Sequence, residues 1–278
     1  MKGKYRQLAG FTLVELIVVM VIGLFLMAGM FSFFQSNKQA NASRHQLAQI
    51  EDLGRNAIHE LTRTIQHAGY RGEHDVVSTS NFITGSVTGQ SCSGNGVATT
   101  QTNVADASLL GSTVDGLLAA NDQVGVVYSG DSSLNQDCSG LSLPSDCEVG
   151  SALESGAAQI YSTFSIGDVS GVPHLQCASS LSSERIALVP GIERIQFNYG
   201  VDADNDGVVD QYQTASQVTQ WGSVLSVRVA LLARSLKPTK KVAEAMSFML
   251  LDNKIDVAAD RYQRAVFQTT IRLQNVNI

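Results

Sequence analysis

Residues 8–34 read "LAGFTLVELIVVMVIGLFLMAGMFSFF". Between Phe11 and Phe34 the only strongly polar side chains are Thr12, Glu15 and Ser32. A helix rising about 1.5 Å per residue is therefore long enough here to cross a hydrocarbon layer. A removable secretory signal would have a shorter apolar region, about 7 to 15 residues, ending at a small-residue cleavage site. Here the small residue, Gly10, precedes the apolar run instead. Lys2, Lys4 and Arg6 lie ahead of the span and only Lys38 and Arg44 follow closely, which orients the N-terminus toward the cytoplasm and the remaining chain outward. A carboxylate at mid-bilayer costs about 2.5–3.5 kcal/mol, less near a helix N-terminus where snorkelling and the helix dipole help. Glu15 therefore asks for a partner.

The pattern continues as "QSNKQANASRHQLAQIEDLGRNAIHELTRTIQHAG", residues 35–69. Leu47, Ile50, Ala57, Leu61, Ile65 and Ala68 recur at helical spacing, with Arg44, Glu51, Asp52, Arg55, Glu60 and Arg63 on more solvated faces. Gly69 is a C-cap candidate. Gly54 costs about 1 kcal/mol relative to Ala inside a helix, which points to close packing or a bend. Beyond the helix, "QVGVVYS" (123–129), "AQIYSTFSI" (158–166), "RIALV" (185–189), "IERIQFNYGV" (192–201), "SVLSVRVALLARS" (223–235) and "AVFQTTIRLQNV" (265–276) read as strands. Period-two alternation is clearest in Ile195, Phe197, Tyr199, in Leu225, Val227, Val229, Leu231, and in Phe267, Thr269, Ile271, Leu273. His174, beside Pro173, reads as a loop residue. The fold class expected is α+β: a long N-terminal helix, transmembrane then amphipathic, packed on a C-terminal antiparallel β-sheet with a loop-rich insertion.

Cys92, Cys138, Cys147 and Cys177 all fall in the polar body, where an oxidising compartment would allow two disulfides in three connectivities. Gly140 and Pro144 between Cys138 and Cys147 favour that short loop, leaving Cys92 with Cys177. No Cys/His spacing argues for zinc. A net charge of −6 with dispersed Lys and Arg gives no footprint for nucleic acid.

"DADNDGVVD" places Asp202, Asp204, Asp206 and Asp210 around Gly207 in the spacing of the first nine places of a calcium loop, with the Val208 carbonyl at place seven. Place twelve is Gln213 rather than Glu, and the flanks read as strands. The simpler alternative is an acidic β-turn; four carboxylates in nine residues repel unless a cation joins them, which favours calcium. A DxD phosphatase would need a parallel sheet with helical crossovers, which these hairpin-like strands do not predict. No GxSxG, Walker loop or HExxH is present, and no enzyme activity is expected.

The stretch Gly10-Phe11-Thr12-Leu13-Val14-Glu15-Leu16 behind a short basic leader resembles the class III signal of type IV prepilins and type II secretion pseudopilins. The resemblance implies prepilin peptidase cleavage after Gly10 and N-methylation of Phe11. It also implies that Glu15 pairs with the N-terminal amine of a neighbouring subunit. "TRTIQHAGYRG" and "LVPGIERIQFNYGVDADNDGVVDQY" narrow it to the PilW family of minor pilins and the related GspJ-type pseudopilins. Ser32 stands where major pilins often carry a proline. The implied organisation is a leader over 1–10, a transmembrane helix over 11–34, a helical spine over 35–69 and a β-rich globular domain over 70–278. The chain would sit in the inner membrane with its body periplasmic, then in a pilus on the cell surface. Its partners would be other minor pilins, the major pilin, prepilin peptidase and the inner-membrane assembly machinery. The function implied is priming or supporting pilus assembly at or near the tip. A type II secretion pseudopilin and a calcium-dependent tip adhesion module are the alternatives.

Overall fold

The computed structural model describes residues 12–71, 81–84, 121–145, 148, 159–182 and 184–275. Helix α1 runs Leu13–Ile65, and the chain divides into two compact units, Met1–Gln46 and Leu47–Ile278. From Leu13 to Phe34 the helix of the first unit presents apolar side chains outward. Its most apolar window has a mean hydropathy of 2.6 with none of it buried, so it is long and apolar enough to cross a membrane.

The second unit begins with the rest of α1, followed, among the described residues, by ten strands: β1 Val124–Ser129, β2 Gln159–Val169, β3 Val172–Ser179, β4 Ile186–Pro190, β5 Ile192–Val201, β6 Gln211–Gln213, β7 Val224–Arg234, β8 Glu244–Leu250, β9 Asn253–Asp260 and β10 Arg264–Arg272. They form two four-stranded antiparallel sheets, β1-β2-β3-β4 and β10-β7-β5-β6, and the two-stranded ribbon β8-β9. Ile50, Gly54, Ala57, Leu61, Thr64 and Ile65 are the buried stripe of α1. They share one core with the inward residues of both sheets.

The alternating rows expected from sequence line up across the second sheet. Ile195 pairs with Leu231 and that with Phe267; Phe197 with Val229 and Thr269; Tyr199 with Val227 and Ile271. Because side chains alternate with a period of two, this register puts every apolar member on the face turned to α1. Each fully buried Leu, Ile, Val or Phe contributes about 1.5–3 kcal/mol. The opposite face of β7 is covered partly by the ribbon, where Leu250 and Ile255 pack on Ala230 and Leu232.

Gly54 is explained by packing. A Cβ built there would lie 2.3 Å from the Phe267 ring, so the glycine lets β10 approach the helix backbone. Gly54→Ala gains about 1 kcal/mol of helix propensity but overpacks the contact at about 1–3 kcal/mol. The net expectation is a melting temperature lowered by a few degrees and restored when Phe267→Leu is added, read by thermal denaturation.

Two expectations are corrected. Cys138 is disulfide-bonded to Cys177, not to Cys147, across a sequence separation of 39. Closing the longer loop costs only about 1 kcal/mol more chain entropy. Strand pairing overrides that difference: the Cys138 N–H donates to Ser162 Oγ of β2, and Phe164 of β2 lies opposite Cys177 of β3. Cys92 and Cys147 lie outside the described residues. His174 is in β3 rather than a loop, because Pro173 sits at the strand's start, where its missing N–H does no damage.

Candidate functional site

Two places carry the candidate functional residues. The first is the start of α1. Thr12 precedes the helix and its Oγ1 accepts the Glu15 N–H at 3.3 Å, an N-cap. Thr12 and Glu15 have the T-x-x-E spacing of a capping box, which the sequence reading had passed over. Glu15 is exposed among Leu13, Val14, Leu16 and Ile17, each more than half exposed, and no cation pairs with it among the described residues. The capping position accounts for an acid in the first turn. It does not account for a carboxylate on an otherwise lipid-facing surface. Gly10 and Phe11 lie outside the described residues.

The second place is the β5–β6 connection. Val201 pairs with Gln211, and Asp210 N–H donates to the Val201 carbonyl at 3.0 Å, which closes residues 202–210 into a hairpin loop. Asp202 is only 4% exposed, and its Oδ2 and Oδ1 accept the N–H groups of Gly207 at 2.8 Å and Asp206 at 3.2 Å. Asn205 at φ 62° and Gly207 at φ 84° make the reversal; the left-handed region suits both residue types. Asp210 Oδ2 accepts the Ala203 N–H at 2.7 Å.

Of the five residues read as calcium ligands, the loop brings Asp202, Asp204 and Asp210 together, with one oxygen from each within 4.8 Å of the others. Asp206 is turned to its own backbone, its Oδ1 accepting the Val208 N–H at 2.8 Å. The Val208 side chain is exposed. Gln213, at the twelfth place, is held in β6 opposite Tyr199. The Asp204 carboxyl is pushed above the usual carboxylate range, first by the Asp206 charge, with desolvation and then Asp210 and Asp202 adding to it. Three hard oxygen donors fit calcium, which takes six to eight oxygens and accepts carbonyls and waters for the rest. The flanking strands are antiparallel, unlike the parallel sheet that a DxD phosphatase requires.

Comparison with known proteins adds two family matches. Residues 6–31 match the prokaryotic N-terminal methylation motif, which defines the chain as pilin-like. Residues 163–275, from β2 to the end of the described chain, match the model described as type IV pilus-assembly protein W. Together the two matches support a PilW-family type IV minor pilin. Among solved structures it is similar to the type IV-like pilin TTHA1219 from Thermus thermophilus, at 11% identity and a TM-score of 0.34 over 59% of this chain and 82% of that one. No curated protein matches it in sequence. Pilins assemble with other pilins and the pilus machinery, and a methylation motif on an apolar N-terminal helix suits a membrane anchor.

Proposed function

We propose that the chain is a minor pilin that primes or supports type IV pilus assembly and resides at or near the filament tip. The observation carrying this reading is Glu15, the one carboxylate in the apolar stretch Leu13–Phe34 of α1, set among the exposed apolar side chains of Leu13, Val14, Leu16 and Ile17. Prepilin peptidase cleaves between Gly10 and Phe11 and methylates Phe11; Glu15 then pairs with the new amine of an adjacent subunit. The N-terminus is cytoplasmic and the body periplasmic until extrusion. Deleting the chain is expected to remove surface pili and twitching while leaving exoprotein release intact. Loss of exoprotein release with normal pili would instead make it a secretion pseudopilin.

The aspartate loop supports a second element of this reading, a structural calcium ion held by Asp202, Asp204 and Asp210. The cation would offset the mutual repulsion of these carboxylates and fix the β5–β6 hairpin. At a calcium concentration 100-fold above Kd such a site stabilises by about 2.7 kcal/mol, so excess chelator is expected to lower the melting temperature by several degrees. Asp202→Asn is expected to abolish that response. An unchanged melting curve in chelator would remove calcium from the structure.

A further inference from the structure

The two sheets have four edges, and three of them are protected among the described residues. β6 is only three residues long. β4 carries Pro190 and pairs with β3 through a register shift. β1 is covered by residues 81–84: Phe82 bridges Val126, the Val127 N–H donates to the Asn81 carbonyl, and the Ile83 N–H donates to the Gly125 carbonyl. These are the usual ways a sheet blunts an edge.

Among the described residues, β10 has none of them. It is nine residues long, contains no proline, and pairs with β7 without a register shift. Its first and last residues are arginines, and Arg264 is turned into an ion-pair cluster. The Gln263 carbonyl accepts from Ser235 and the Leu273 N–H donates to Leu225, so the odd-numbered residues bond toward β7. In an antiparallel ladder the alternate residues then point away. The N–H and C=O groups of Val266, Gln268, Thr270 and Arg272 therefore face outward, and all four residues are exposed.

The open edge runs beside α1, and a trough lies between them. One cavity of about 540 Å³ is lined by Glu51, Arg55 and Ile58 of the helix and by Ala265 and Phe267 of the strand. A second, of about 500 Å³, is lined by Thr62, Gln66, Ile271 and Leu273. The Gln274 N–H donates to the Gln66 carbonyl and closes the trough at that end.

We propose that this trough receives an extended segment of a neighbouring pilin subunit, which adds as a further strand to β10. The inference rests on the pilin reading above. Alternating outward donors and acceptors are satisfied together only by a strand. The other wall of the trough is α1, the helix that carries the Glu15 contact proposed above, so an occupant here would extend that contact. The partner segment presents an apolar side chain toward Ile58 and Phe267. A second, about four residues along, faces Ile271 and Leu273, the step from Phe267 to Ile271 along β10 at about 3.3 Å per residue.

The test uses the full chain in piliated cells. Gln268→Pro removes an N–H that points away from β7 and bonds to none of the described residues, so the variant is expected to melt as the parent does and to undergo normal processing. Its recovery in sheared filaments is expected to fall about tenfold, the equivalent of one main-chain hydrogen bond. A photoreactive phenylalanine analogue at Thr270 is expected to cross-link to a strand peptide of another pilin, identified by mass, and supplies the test if Gln268→Pro fails to fold. Full recovery of Gln268→Pro in filaments, cross-links only to a second copy of this chain, or no cross-link in piliated cells would each overturn the inference. Failure of the pilin reading looks different, since the deletion strain would then be normally piliated.

Discussion

In cells carrying Glu15→Ala, the chain is expected at its normal level in the membrane but reduced about a hundredfold in sheared filaments. The two results separate because the substitution acts oppositely on the two steps. Removing a carboxylate from an apolar span can only favour insertion. In the proposed filament contact the same carboxylate would pair with an amine in low dielectric, and deleting one member of such a pair costs about 3–5 kcal/mol, because the other is left unpaired. About 2.7 kcal/mol is a hundredfold. The cap geometry supplies a control: Thr12 and Glu15 are joined by the first-turn hydrogen bond to the Thr12 hydroxyl. If capping were the acid's purpose, Thr12→Val would reproduce the defect and Glu15→Gln would be mild, since caps contribute about 0.5–2 kcal/mol. If charge pairing is its purpose, Glu15→Gln fails as Glu15→Ala does. Glu15→Ala found in filaments at parental level would dispose of the assembly role.

Arg264→Ala is expected to lower stability by about 3 kcal/mol, or roughly 10 °C in melting temperature for a domain of this size. The Arg264 side chain is 1% exposed and holds two carboxylates. Its Nε and one terminal nitrogen donate to Glu193 at 2.6 and 3.1 Å, and both terminal nitrogens donate to Asp260 at 2.5–2.8 Å. Arg234 adds a contact to Glu193 at 3.7 Å and stacks over the Tyr262 ring. The cluster thus joins β5, β7 and β10 to the end of β9. The carboxylates are 16% and 29% exposed, so part of their charge is solvated and the lower end of the buried-pair range applies.

The same cluster sets an acid limit. Hydrogen bonds from Arg264 hold the Asp260 carboxyl below its ordinary value of 3.8. A depressed folded-state value gives stability that is present above the unfolded value and lost as pH falls through the folded one. The parent is therefore expected to lose melting temperature on acidification below about pH 4, and Arg264→Ala to flatten that part of the profile. An unchanged melting point in Arg264→Ala would show the cluster to be dispensable.

Much of this architecture can be read locally. The apolar run and the i, i+3, i+4 stripe place α1, and Gly54 already pointed to a close approach before Phe267 was seen beneath it. The β5, β7 and β10 alternations place their inner face. What escaped were features fixed by partners distant in sequence or by unusual turns. The β8–β9 hairpin reverses at Leu251, which has φ 53° where glycine or asparagine would be the expected signal. The β2–β3 hairpin turns at Ser170 and Gly171, both at positive φ, and the second half of that hairpin was missed. Within the aspartate loop the spacing is local and was legible. That Asp210 closes on Asp202 and Asp204 while Asp206 turns away depends on the hairpin register. The open edge could not be seen at all from sequence, because strand order is a property of the whole sheet.

The bond between Cys138 and Cys177 has a bearing on what a single proteolytic cut can do. It encloses the later part of the β1–β2 connection, from residue 138 on, all of β2 and most of β3 within one covalent ring. A protease that cuts once anywhere among the 39 peptide bonds of that ring therefore releases nothing, and the severed ends remain part of one molecule while the bridge is oxidised.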